Sequence, residues 1–114
     1  MADCLFCKVA NKEIGTLVYE DESVVAFEDL NPQAPVHVLI IPKKHIARIS
    51  DVADGEDAAL MGHILVVANK IAKEHGIAEA GYRVVANCNE AAGQSVWHIH
   101  FHLLGGRVLS WPPG

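Results

Sequence analysis

The sequence predicts a single α+β domain spanning residues 1–114, with an antiparallel sheet of about five strands, one long helix and a short N-terminal helix. Three observations predict it. The strand-forming runs follow one another as hairpin, strand, helix, strand, strand, without the alternation of strand and helix that a parallel sheet requires. One stretch alone carries a sustained helical period. A chain of 114 residues that is 51% apolar has enough material for one core without disulfides.

In chain order, a short helix is expected over Cys4 to Ala10. Residues 16–29, "TLVYEDESVVAFED", contain two β-rich runs around Asp21-Glu22 and read as a hairpin, closed by Asp29, Asn31 and Pro32. "PVHVLIIP" (35–42) is a strand whose ends are marked by prolines, which cannot donate to a central ladder. From Asp54 to His75, Leu60, Ile64, Ala68 and Ile71 recur at helical spacing, widened by Met61, Leu65 and Ala72. Asp51 or Asp54 is placed to cap its start and Gly76 its end. "YRVVANCN" (82–89) and "VWHIHFHLL" (96–104) are two further strands, and the loop between them, "EAAGQS", has the length of a functional connection.

Composition narrows the range of partners. The formal charge is -5 and the only adjacent basic pair is Lys43-Lys44, which argues against binding nucleic-acid polymers. The apolar runs "VLII" and "ILVVA" are too short to span a bilayer, and the first residues lack the basic and apolar regions of a secretion signal, so a cytoplasmic protein is expected. In a reducing compartment, Cys4-x-x-Cys7 favours metal binding or redox chemistry over a structural disulfide; the third cysteine, Cys88, reads as a small packed residue.

The stretch with most chemical content is "HIHFHLLGG" (98–106). On a strand, His98, His100 and His102 would share one face and Ile99, Phe101 and Leu103 the other. Each neutral imidazole carries one donor and one acceptor that need partners, so three in register are poorly explained as packing. Two chemical readings remain at this point: a three-histidine catalytic metal with an open position for water, or a separate task for each ring. The cysteine pair offers softer ligands and needs two more to complete a tetrahedron.

With these residues in view, "FEDLNPQAPVHVLIIPKKHI", "GYRVVANCNEAAGQSVWHIHFHLLGGR" and the terminal "WPPG" closely resemble the histidine triad (HIT) family, in particular its Hint branch of nucleotide phosphoramidases. The family pattern His-φ-His-φ-His-φ-φ is met from His98 to Leu104, preceded by Gly93-Gln94-Ser95. The resemblance implies a homodimer with a sheet continuous across the interface. It also implies hydrolysis of purine nucleoside 5′-phosphoramidates and aminoacyl adenylates, with His100 as the nucleophile. His102, with the backbone of Gly93, Gln94 and Ser95, would hold the phosphate, and the Ser95 hydroxyl would lie near the leaving amine. Asn87 would sit near ribose and phosphate, His37 would support the nucleophile, and Asp29 would accept from the ribose hydroxyls. Phe6, Val9, Ile14, Phe27 and Leu30 would line the base pocket; Val9 and Ile14 read equally well as core. Trp111 would reach the leaving-group side of the partner's site. A structural zinc would be held by Cys4, Cys7, His45 and His98, outside the chemistry.

Gly15, Trp97 and Glu28 depart from the usual family residues, and none of them touches the expected nucleophile. Two rival functions are carried alongside the phosphoramidase: a nucleotide-binding regulatory or scaffold protein with incidental hydrolysis, and a three-histidine metallohydrolase.

Overall fold

A computed structural model describes residues 4–114. In chain order these form α1 (Leu5–Ala10), β1 (Tyr19–Glu20), β2 (Val24–Glu28), β3 (Val36–Pro42), α2 (Glu56–Glu74), β4 (Tyr82–Val85) and β5 (Phe101–Gly105). Short 3-10 turns occupy Ile49–Asp51 and Glu90–Ala92. The strands make one antiparallel sheet in the order β1-β2-β3-β5-β4.

Strand alternation explains why β2 and β3 read as unbroken apolar runs. Val24, Ala26, Val38 and Ile40 point to one face and pack with Ile64, Val67, Ala68, Ile71 and Ala72 of α2. Val25, Leu39 and Ile41 point to the other and pack with Phe6, Val9 and Ala10 of α1. A sheet covered on both faces needs apolar residues at every position of its central strands. Burying each large aliphatic side chain of α2 contributes about 1.5–3 kcal/mol.

The hairpin turns where Asp21 Oδ1 accepts from the amides of Ser23 and Val24, each at 2.9 Å. Asp21 Oδ2 meets His63 Nε2 at 2.6 Å, which ties the turn to α2. The end of α2 follows expectation: Gly76, at φ 72°, lets the amides of Gly76 and Ile77 reach back to Lys73 and Ala72.

Its start does not. The residue before α2 is Gly55, and no side chain caps there. Asp57, one residue inside the helix, accepts instead from the Ala53 amide at 3.2 Å and from Lys44 Nζ at 2.6 Å. Leu65, expected in the buried stripe, is 48% exposed, and Val67 takes the inner position.

The last strand is also shorter than expected, beginning at Phe101 rather than 96. In the β3–β5 register Ile40 pairs with Phe101, so residues before 101 run toward the proline that ends β3. They pair with a loop instead: the Ile99 amide donates to Ile46 O at 2.7 Å. Likewise β4 stops at Val85, opposite His102 and one residue short of the first residue of β5.

Candidate active site and candidate metal centre

His102 pairs with Leu39, and His37 pairs with Leu104, so these two histidines are diagonal neighbours on adjacent strands. Both lie on the face that α1 covers. The hydrogen bonds around them fix where each ring carries its proton, because a neutral imidazole has one N–H and one lone pair.

The Gln33 amide donates to His37 Nδ1 at 3.0 Å. The His37 proton is therefore on Nε2, which faces His102 Nδ1 at 2.9 Å and Asp29 Oδ2 at 3.4 Å. His102 accepts at Nδ1, which puts its own proton on Nε2. Burial lowers His37 from the ordinary histidine value, and the Asp29 carboxylate only partly opposes it. Burial, with His100 and His37 nearby, lowers His102 to about 4. Both rings are neutral at pH 7, so the 3.4 Å approach of Asp29 to His37 is a polar contact rather than an ion pair, and the Nε2–H is directed at His102.

His100 adopts the opposite tautomer. Its Nδ1–H donates to the main-chain oxygen of His98 at 2.9 Å, leaving the Nε2 lone pair free. The ring is 8% exposed; Phe6 stands edge-on to it, with centroids 5.1 Å apart, and Phe27 packs behind Phe6 at 5.3 Å. The His102 ring lies 5.1 Å away on its other side. His37 thus touches His102 and not His100, so any support it gives the expected nucleophile passes through His102.

His98 is fully buried and donates Nε2–H to Pro42 O at 2.7 Å, which turns its Nδ1 lone pair toward the cysteines. Nδ1 is 3.4 Å from Cys4 Sγ and 3.5 Å from Cys7 Sγ, and His45 Nδ1 is 3.2 Å from Cys7 Sγ. All four donor atoms lie within 4.8 Å of one another. Tetrahedral zinc with Zn–S near 2.3 Å and Zn–N near 2.0 Å implies ligand–ligand edges of about 3.5 Å. The four residues fit a closed metal site. Burial, with Cys4 alongside, pushes the Cys7 thiol up to about 11.

Asp29, His37 and His102 also bring donor atoms within 4.8 Å of one another. Here proton placement argues against a metal. Ligation through His37 Nε2 would move its proton to Nδ1, where it would meet the N–H of Gln33 head on. Because His98 spends its free nitrogen toward the cysteines, the three triad rings do not converge on one ion either.

The remaining expected residues occupy varied positions. Gln94 is buried, and its side chain is wholly used in holding its loop: Oε1 accepts from the Asn89 amide at 2.9 Å, and Nε2 donates to Ala47 O at 2.7 Å and Val96 O at 3.1 Å. Gly93 adopts φ 93°, and Ser95 is exposed at the end of that loop. Asn87 is half-buried beyond β4. Asp29 Oδ1 accepts from the Asn31 amide at 2.7 Å. Val9 is core, whereas Ile14 and Leu30 are 41% and 102% exposed. Trp111 is 80% exposed, and its segment is fastened by Arg83, which donates to the carbonyls of Leu109 and Ser110 at the β4 edge. Trp97 is 41% exposed with the Arg48 guanidinium 5.4 Å from its ring centroid. Sequence reasoning missed Gln33, whose contribution is a main-chain N–H that leaves no residue signature.

The HIT domain family model matches residues 11–109 of the chain. The protein belongs to the HIT family. Its structure superposes on the crystal structure of a HIT family hydrolase from Legionella pneumophila with a TM-score of 0.95 and 57% identity, covering 98% of this chain and 100% of that one. A HIT-like protein of Synechococcus elongatus is 50% identical over 113 residues, 98% of this chain and 97% of the relative. The crystal structure of a histidine triad nucleotide-binding protein from Candida albicans is more distant, with a TM-score of 0.81 and 34% identity over 96% of this chain and 83% of that one. This HIT protein therefore has a hydrolase-type fold. Cys4 and Cys7 precede the span that the family model covers.

Proposed function

We propose that this HIT protein hydrolyses purine nucleoside 5′-phosphoramidates and related phosphate conjugates through a covalent nucleotidyl intermediate on His100. The observation that carries the reading is the hydrogen bond from His100 Nδ1 to His98 O at 2.9 Å. It leaves Nε2 as a free nucleophilic lone pair beside an apolar wall and beside the N–H that His102 presents. The nucleotide-binding name of the Candida relative agrees with a nucleotide substrate.

In the first step His100 Nε2 forms a bond to the α-phosphorus and the phosphorus–amine bond breaks. The departing amine takes a proton that the Ser95 hydroxyl relays from solvent. The nucleotidylated ring is cationic, and His98 O stabilises that charge through the Nδ1–H. In the second step water adds to phosphorus and gives up a proton to solvent by way of the Ser95 hydroxyl, the P–N bond breaks, and the His100 nitrogen leaves with its lone pair, releasing the nucleoside monophosphate. His102 Nε2–H and the Ser95 amide bind phosphoryl oxygens, while the amides of Gly93 and Gln94, which donate to Glu90 O and Asn89 O, hold the loop that carries Ser95; donors placed in advance stabilise charge as it develops. The Asp29 carboxylate accepts from the ribose hydroxyls with Leu30 and Asn87 beside it, and Phe6 and Phe27 supply flat surface for the purine.

Zinc is the metal assigned to Cys4, Cys7, His45 and His98, where it would hold α1 against the segment that leads to His100. Homodimer formation through the open β4 edge and the exposed Leu65 and Val66 of α2 would carry Trp111 to the partner's leaving-group side. The three free cysteines suit a reducing cytoplasm.

The test compares His100→Asn with the parent on adenosine 5′-phosphoramidate. Turnover should fall on the order of 1,000-fold or more with the circular dichroism spectrum unchanged. Undiminished turnover in a folded variant contradicts the assignment.

A further inference from the structure

We propose that the main-chain amide of Gln33 is a positioning group of this site, setting the tautomer of His37 and, through it, that of His102. The inference rests on the reading of His102 as a phosphate donor only for its effect on turnover; the tautomers themselves can be read without substrate.

Every partner of His37 agrees with one proton position. Nδ1 faces the Gln33 N–H at 3.0 Å, while Nε2 faces His102 Nδ1 at 2.9 Å and Asp29 Oδ2 at 3.4 Å. An amide can only donate and a carboxylate can only accept, so the two fixed groups at opposite ends of the ring impose Nε2–H. His102 Nδ1 then has a donor pointed at it, and the His102 proton is forced to Nε2. In the opposite arrangement two N–H groups would collide at Gln33, and the His37 lone pair would face the Asp29 carboxylate. His102 would then turn its own Nδ1–H toward His37 and present a lone pair at Nε2, repelling a phosphoryl oxygen instead of binding it. The Gln33 N–H, acting together with the Asp29 carboxylate, therefore sets whether His102 offers a donor or an acceptor.

The turn that carries this amide is held from several directions. Asp29 Oδ1 accepts from the Asn31 amide at 2.7 Å, and Gln33 Nε2 donates to Asn31 O at 3.0 Å. Arg107 Nε donates to Gln33 O at 3.0 Å from the end of β5. Beside it Gly106, at φ 91°, lies so close to Pro35 that an added Cβ would stand 2.9 Å from the proline Cβ. The strand that carries His102 thus ends against the same turn that orients His37.

The experiment uses the full chain, nitrogen-15 labelled at histidine, with long-range proton–nitrogen spectra to read the tautomer of each ring. The wild-type protein should show His37 and His102 each as a single Nε2–H form. An Nδ1–H form of His37 overturns the proposal. Gln33→Pro, which lacks the N–H, should give mixed tautomers at both rings and lower kcat on adenosine 5′-phosphoramidate on the order of 10- to 100-fold. Gln33→Ala, which keeps the amide, should retain the wild-type spectrum. Unchanged tautomers in Gln33→Pro overturn the proposal. Should that variant not fold, His37→Ala replaces it: His102 should lose its single tautomer, and an unaltered His102 overturns the relay. Predicted tautomers in a wild-type protein that does not turn over the phosphoramidate would refute the substrate reading and leave the positioning role standing.

Discussion

The main-chain oxygen of His98 accepts the Nδ1–H of His100 at 2.9 Å, while the His98 side chain turns Nδ1 toward Cys4 and Cys7. One residue thus joins the candidate metal centre to the tautomer of the proposed nucleophile. The side chain belongs to one site and the backbone to the other.

Metal analysis tests the first half of that link. Purified protein should hold about one zinc per chain, and Cys7→Ser should lose it. Because binding energy at such a site is folding energy, Tm should fall by several degrees in the variant. Turnover should be reduced without being abolished, since no proposed step passes through the metal. Complete loss of activity in a folded, metal-free variant would mean that the ion takes part in the chemistry.

Acid should destabilise the fold within the histidine range. Burial lowers the folded-state values of both His37 and His102, the latter to about 4, so below the ordinary histidine value the unfolded chain binds protons that the folded chain does not. Their stabilisation is complete above about pH 6.5 and declines as pH falls toward 4. Thermal melts between pH 7.5 and 5 should show a falling Tm, with a shallower fall in His102→Gln. An identical pH slope in that variant would place the titrating groups elsewhere.

The glycine pair that ends β5 should not tolerate side chains. A Cβ at Gly105 would lie 2.5 Å from Ile77 Cδ1 and 3.1 Å from Ile77 Cβ, inside a filled core. At Gly106 it would meet Pro35 in a left-handed backbone conformation. Overpacking in the first case and strain in the second should each cost about 1–3 kcal/mol, measured by urea unfolding of the alanine variants. A loss under about 0.5 kcal/mol at both positions would show that this exit turn is not rigid.

These sites differ in how far the sequence exposed them. His98, His100, His102, His45 and the cysteine pair stand out because their chemistry belongs to side chains at a readable spacing. The buried runs of β2 and β3 are equally legible, as is the Gly76 stop after α2. The strand expected from 96 was misjudged because alternation continues through His98 and Ile99 although their partner is the loop at Ile46. The start of α2 was misjudged for a related reason: Asp57 caps from inside the helix through Lys44 and Ala53, a contact between segments that local sequence does not encode. Leu65 satisfies the helical period as well as Val67 does, and tertiary packing chose between them. Gln94 was expected at the phosphate, yet its side-chain amide spends its bonds on Asn89, Ala47 and Val96, so what the structure gives it is the holding of its own loop. Gln33 was invisible because main-chain donors carry no side-chain signal.

The most direct measurement of the central claim is rapid-quench mass spectrometry of the wild-type protein mixed with excess adenosine 5′-phosphoramidate. The geometry of His100 predicts an adenylyl adduct that appears within the first turnover, maps to the peptide containing His100, and is absent from His100→Asn. Release of a full equivalent of amine with no adduct on any histidine would contradict a covalent mechanism and require water to attack phosphorus directly.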